Sequence, residues 1–204
     1  MTATLTPTAR KTGPLVLHFG SLFGKLSDEE LMEFFTLNDH LRIELNSEGD
    51  LIIMPPTGGE TGVRNFELIG NFWAWSKKDG SGKGFDSSTV FSLPNGARRS
   101  PDLAWVLNER WEKLSKSDRA KFPPICPDFV VELRSPSDSL DFLREKMEEY
   151  VANGAQLGWL IDPFERKVYA YRPGAEVEVL EDPETISGEP LLRGFALDVR
   201  ALWD

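Results

Sequence analysis

Asp102, Glu132 and Lys146 are placed along this chain where catalytic chemistry would put them. Glu132 lies inside Pro127-Asp128-Phe129-Val130-Val131-Glu132-Leu133-Arg134-Ser135-Pro136-Ser137-Asp138. Phe129, Val131 and Leu133 alternate onto one face of a strand, which leaves Asp128, Val130, Glu132 and Arg134 on the other. A carboxylate in the middle of an apolar strand is costly unless a metal, a base or a substrate group pairs with it. Asp102, in Arg99-Ser100-Pro101-Asp102-Leu103-Ala104-Trp105-Val106, is again an acid at the start of an apolar strand. Two such acids on neighbouring strands offer oxygens to a hard cation such as Mg²⁺. Mg²⁺ favours phosphate oxygens, so the pair points to phosphoryl chemistry. The plainer reading of Asp102 is a turn cap, or a partner for Arg98 or Arg99.

Lys146 belongs to the helix that follows the Glu132 strand. Leu140, Leu143, Met147, Tyr150 and Val151 make the buried stripe of that helix, and Lys146 flanks it beside Phe142 and Tyr150. Its stem can lie along the sheet while the ammonium reaches the acids. There it would orient water or stabilise charge on a phosphate oxygen. The plainer reading is a solvated lysine paired with Glu149.

The elements that must hold these groups are legible in outline. The Thr-, Pro- and Ala-rich opening reads as a loose arm, residues 1–25, ahead of one domain over 26–204. Ser27 with Glu30 forms a capping box that starts a helix running to about Thr36. Leu41–Leu45 and Asp50–Met54 flank turn chemistry and read as a hairpin. A second helix runs from Glu60 to about Lys78, with Phe66, Ile69, Phe72 or Trp73, and Trp75 or Ser76 as its apolar positions. Gly84–Leu93 and Ala97–Leu107 read as two strands around an Asn-Gly turn, followed by a surface helix from Trp111 to Ala120. After the Glu132 strand come a helix closed at Gly154, a strand at Gln156–Asp162, a hairpin at 166–180 and an edge strand at Phe195–Val199. Strand, helix and strand over 128–162 imply a parallel pair inside a mixed sheet. The fold class is α/β (α+β), helices packed on a sheet.

Composition narrows the function. Hydrophobic content of 40% with six Trp and thirteen Phe supports a substantial aromatic core. The formal charge of −10 counts against loose binding to nucleic acid by phosphate neutralisation, although a locally basic cleft is compatible with it. Cys126 is the only cysteine and reads as a small buried thiol, which suits a reducing compartment. With only His18 and His40 present, a Cys/His zinc site is excluded. No signal-peptide-like run opens the chain and no stretch is long and apolar enough to span a membrane, so a cytoplasmic protein is expected.

Pro101-Asp102, then Glu132-Leu133-Arg134, then Lys146 resemble a variant of the PD-(D/E)xK nuclease signature. Together with Pro56-Thr57-Gly58-Gly59-Glu60-Thr61-Gly62 and Gly158-Trp159-Leu160-Ile161-Asp162-Pro163, the chain from about Leu26 onward resembles the putative restriction endonuclease family of that superfamily, formerly a domain of unknown function. The resemblance implies a restriction-endonuclease-like mixed sheet of order αβββαβ with added hairpins. It also implies an endonuclease that hydrolyses DNA phosphodiesters with Mg²⁺, Mn²⁺ being an alternative metal. Asp102 and Glu132 would hold the metal and Lys146 would assist attack by water. The superfamily's usual lysine is replaced by Arg134, and Lys146 on the next helix takes that place. Arg134 would bind phosphate or offset Asp128. A further metal-binding acid is expected from the first core helix, where Glu60 is the candidate and Glu44 a weaker one; a helix-start role suits Glu60 as well. Two strands of a duplex are most simply cut by two related sites, so a homodimer is expected. The rivals are a nuclease-like module that binds DNA or protein without cutting, and a hydrolase of small phosphate esters.

Overall fold

The computed structural model describes residues 13–203. In chain order the elements are β1 (Leu15–Leu17), a 3₁₀ turn (Gly20–Lys25), α1 (Asp28–Leu37), β2 (Arg42–Leu45), β3 (Leu51–Met54) and α2 (Gly59–Asp79). Next come β4 (Gly82–Asp86), β5 (Phe91–Ser92), β6 (Arg98–Arg99), β7 (Leu103–Leu107), α3 (Asn108–Glu112), α4 (Lys116–Ala120) and β8 (Phe129–Leu133). Then follow α5 (Leu140–Ala152), β9 (Leu157–Asp162), β10 (Lys167–Tyr171), β11 (Glu178–Glu181), β12 (Thr185–Ser187), β13 (Ala196–Asp198) and a last 3₁₀ turn (Arg200–Leu202).

The main sheet has six strands in the order β11-β10-β9-β8-β7-β4. β8 and β9 run parallel, as the intervening helix α5 requires, and the remaining pairs are antiparallel. Because side chains alternate, Phe129, Val131, Leu133 and Trp159 face α2 and the carboxyl-terminal segment, where Phe72 and Phe195 complete the core. Val130, Ala104 and Leu160 face α5, packing on Leu143, Met147 and Tyr150. Burying those three helix side chains contributes about 1.5–3 kcal/mol each. At Gly158 an added Cβ would lie 2.4 Å from the Met147 methyl, so glycine lets α5 approach the sheet closely. Gly154 ends α5 with φ of +114°.

The second sheet, in the order β1-β3-β2-β6-β5, carries a smaller core of Phe23, Leu31, Ile43, Leu45 and Leu51. Its helix α1 starts at the expected capping box, with Ser27 Oγ accepting from the Glu30 amide at 3.2 Å and Glu30 Oε2 accepting from the Ser27 amide at 2.7 Å.

Several sequence expectations need correcting. Leu15–Leu17 pairs with Leu51–Ile53, so this part of the expected arm is a strand of the sheet, while residues 1–12 lie outside the described residues. The expected pair of long strands around Asn95-Gly96 is broken: β5 pairs with β6 in the small sheet, whereas β4 pairs with β7 in the large one. The surface helix is two short ones, α3 and α4, separated by the Ser115 cap. β13 is an edge strand as expected, in a two-stranded ribbon with β12 that stands apart from the main sheet. On α2 the buried face is Thr61, Arg64, Leu68 and Phe72, whereas Phe66 and Trp73 point outward.

Candidate active site

Asp102 and Glu132 meet through strand register. β7 and β8 pair Leu103 with Val131, Ala104 with Val130 and Trp105 with Phe129. Continuing that register by one step sets Asp102 across from Glu132. Asp102 Oδ2 accepts from the Leu133 amide at 2.9 Å, which prolongs the ladder through a side chain. Asp102 Oδ1 accepts from Arg42 Nη2 at 3.1 Å, and the same guanidinium donates to the Ser100 carbonyl at 3.2 Å.

Lys146 is buried, 2% exposed, with Nζ 2.8 Å from Glu132 Oε1 and 2.8 Å from Glu44 Oε1. The Tyr150 hydroxyl, one helical turn further along α5, donates to Glu132 Oε1 at 3.1 Å. Glu44 is fully buried; its Oε1 also accepts from the Ser100 amide at 3.0 Å and its Oε2 from Arg99 Nη1 at 3.2 Å. Arg99 is held in turn by Glu149 through Nε at 2.5 Å. The small sheet therefore supplies half of the cluster. Strand alternation on β2 sends Ile43 and Leu45 into the small core and Arg42 and Glu44 to the opposite face, against the main sheet.

The electrostatics follow from burial. Burial pushes the Glu132 carboxyl up and Asp102 and Glu44 add to this, against the attraction of Lys146, so its pKa reaches about 7. Burial also opposes ionisation of Glu44, but Lys146 and Arg99 outweigh it and hold this carboxyl below its ordinary range. For Lys146 the burial cost is overcome by Glu132 and Glu44, which keep the ammonium charged. Burial and the Glu132 charge drive the Tyr150 phenol well above its usual value, so it stays a donor. Lys146 and Glu44 thus form a fixed ion pair, and Glu132 is the group closest to gaining or losing a proton near neutrality.

Asp102, Glu132 and Leu133 line a small cavity of about 30 Å³, together with Arg42, Thr57, Thr61, Asn65, Ser135 and Ser137. That is room for a water or two. The lining offers hard oxygen donors that suit a divalent cation in kind: the Asp102 and Glu132 carboxylates, hydroxyls and a side-chain amide. Beside them stand the Arg42 guanidinium and Asp138, whose Oδ2 already accepts from Ser135; a cation would relieve the burial of Glu132. Among the described residues no three His, Cys, Asp or Glu side chains converge as a ready-made metal cage. The donor set is the open, two-carboxylate kind that leaves several positions to water and phosphate, as Mg²⁺ prefers.

Of the acids expected to share the site, Glu60 does not join it. It is exposed in the first turn of α2, and Thr61 and Asn65, four residues apart on the neighbouring face, line the cavity in its place. Glu44 carries the third buried acid. Asp128 lies at the other end of β8, bound to Arg110 at 2.7 Å and to the Leu107 amide at 2.9 Å, away from the cavity. Arg134 does not offset it; Arg134 Nη1 pairs with the buried Asp162 at 2.6 Å and the guanidinium lies over Phe164. Arg98 pairs with Asp28, so neither Arg98 nor Arg99 is the partner of Asp102. Lys146 likewise does not pair with Glu149. Arg42, Arg99 and Tyr150 were missing from the sequence-derived site. The readable signal was Arg42 and Glu44 together on the polar face of an otherwise apolar strand.

Three comparisons place these features among known proteins. A search of curated proteins found no match. Among solved structures, the chain is similar to the crystal structure of a putative nuclease belonging to DUF820 from Anabaena variabilis ATCC 29413. The TM-score is 0.67 with 23% identity, over 79% of this chain and 89% of that one, a likeness of fold. The sequence matches the family described as Uma2, putative restriction endonuclease, over residues 28–200. With most of its length covered by that match and a restriction-endonuclease-like mixed sheet beneath it, the chain belongs to the Uma2 putative restriction endonuclease family.

Proposed function

We propose that this protein is an endonuclease that hydrolyses DNA phosphodiesters with a divalent metal, Mg²⁺ or Mn²⁺, held by Asp102 and Glu132. The observation that carries the reading is that Asp102, just before β7, and Glu132 on β8 line one cavity, while Lys146 from α5 stands 2.8 Å from Glu132 Oε1. When bound, the metal would supply the positive charge that polarises the scissile phosphate. The chain's own residues do the rest. Lys146 and Tyr150 hold Glu132 Oε1 at 2.8 and 3.1 Å, which fixes a side chain that lines the cavity. The Leu133 amide fixes the rotamer of Asp102. Water attacks phosphorus as one ester P–O bond breaks, and its proton leaves toward solvent at the mouth of the cavity. The protein works as a homodimer in the cytoplasm, a compartment that suits its buried thiol; burial raises the pKa of Cys126 to about 12 and keeps it inert. Among the described residues no helix is long and apolar enough to cross a membrane.

One observation favours a rival, a nuclease-like module that binds without cutting: Arg42 already occupies Asp102 Oδ1 as a counter-charge. One assay decides. Purified protein is incubated with supercoiled, linear and single-stranded DNA, with EDTA, Mg²⁺ or Mn²⁺, alongside Asp102→Asn and Glu132→Ala. Cleavage is expected only with metal and wild type. Absence of cleavage of any DNA form supports the rival, and equal cleavage by either variant removes these acids from the mechanism.

A further inference from the structure

Helix α2 carries an apolar stripe that the rest of the described residues leave exposed. Val63, Phe66 and Trp73 are 62%, 76% and 61% exposed. With Gly70 and Lys77 they recur at steps of three and four residues, so they share one face of the helix. At about 100° per residue that face lies opposite Thr61, Leu68 and Phe72, which are buried. Gly70 is at the middle of the stripe. A Cβ added there would meet nothing within 4 Å among the described residues, so none of their contacts calls for glycine at a mid-helix position it weakens.

We propose that this stripe is a self-association surface, on which two copies of the chain pack α2 against α2, antiparallel, about a two-fold axis at Gly70. The stripe is nearly palindromic about that residue. In an antiparallel pair Phe66 lies beside Trp73 of the second copy and Val63 beside the stem of Lys77, whose ammonium already stands 5.8 Å from the Trp73 ring. The missing Cβ lets the helices close at the centre. The charges agree. Glu60 and Glu67 lie on one flank in the amino-terminal half, and Lys78 lies on the same flank in the carboxyl-terminal half. A two-fold axis across the helices brings like flank to like flank, so Glu60 of each copy meets Lys78 of the other. In a parallel pair Glu60 would face the other flank at its own level, where Gly62 offers no counter-charge. The antiparallel helix dipoles are also favourable. Trp73 and Lys77 continue into a groove of about 460 Å³ along the edge strand β4, which widens the surface beyond one helix. The pairing of Glu60 with Lys78 across the two-fold axis is the complementarity that a second copy of the chain supplies. The isologous contact follows from one surface meeting itself.

The proposal specifies the dimer named in the reading above, and its test measures mass and not cleavage, so either can fail alone. Sedimentation velocity on the full chain at micromolar concentrations should give twice the chain mass. Gly70→Glu should give the monomer while keeping the thermal melt, since the site is open and glutamate is the better helix former. Gly70→Cys should cross-link two copies under mild oxidation, because Cys126 is buried, whereas Lys113→Cys on exposed α3–α4 should not. Glu60→Lys should weaken the dimer, and adding Lys78→Glu should restore it. A wild-type monomer throughout the concentration series overturns the proposal, as does a dimer untouched by Gly70→Glu.

Discussion

Replacing Glu132 by glutamine should make this protein more stable near neutrality, and by an amount that depends on pH in a defined way. The wild-type carboxyl is raised by burial, with Asp102 and Glu44 adding to it, from an ordinary 4.5 to about 7. Across that window the native chain retains a proton that the unfolded chain has released, so stability falls as pH rises from about 4.5 to 7. A shift from 4.5 to about 7, at about 1.4 kcal/mol per unit, amounts to about 3 kcal/mol lost by pH 8. Glutamine keeps the shape and can accept from Lys146 and Tyr150 through its carbonyl oxygen, but it does not titrate. Lys146 retains Glu44. Carboxylates remote from this cluster contribute equally in both proteins and cancel in the difference. Urea or thermal unfolding of wild type and Glu132→Gln from pH 4.5 to 8.5, with EDTA, should give curves that meet at the acid end. They should diverge by about 3 kcal/mol at the alkaline end, a melting difference of about 6–12 °C for a domain of this size. Parallel curves across the range would falsify the claim that Glu132 is a strained buried acid. Mg²⁺ should narrow the gap at pH 8 by stabilising wild type alone.

Other perturbations separate structural from chemical roles. Lys146→Met leaves Glu44 and Glu132 buried without their shared cation, so calorimetry should show a loss of about 3–5 kcal/mol. Adding Glu44→Gln should recover part of it; a single variant as stable as wild type would mean that Lys146 is solvated. Arg134→Ala breaks the 2.6 Å pair with buried Asp162 and should cost about 2 kcal/mol in denaturant titrations. Metal-dependent cleavage, measured well below the melting temperature, should persist in that variant. Its abolition would return the catalytic cation to the position that the superfamily signature gives it.

Much of this architecture was readable from local pattern, and what was not readable depended on contacts distant in sequence. β8 was legible because period-two alternation and an internal acid coincide within five residues. The parallel β8–β9 pair followed from the intervening helix. Lys146 was harder, since a flank position on an amphipathic helix is normally solvated, and its burial is made tolerable by Glu44 on a strand of the other sheet. Read alone, β2 made Glu44 a strand-edge carboxylate; only the packing of one sheet on the other turns it inward. The Asn95-Gly96 turn was recognised, yet its flanking strands divide between two sheets, which turn chemistry does not encode. On α2, helical spacing alone could not choose between Phe72 and Trp73, and it placed Phe66 in the core although that ring faces out.

The ladder between β7 and β8 has a consequence for how such a protein can diversify. Asp102 and Glu132 are held in place by three strand pairs and one amide, not by the length of chain that joins them. That connecting chain, α3 and α4, is exposed around Lys113 and Ser115. Insertions there lengthen the loop without sliding either acid, and the entropic cost of a longer loop grows only slowly. New segments can therefore be grafted at this point over evolutionary time, or in the laboratory, with the acids left in register.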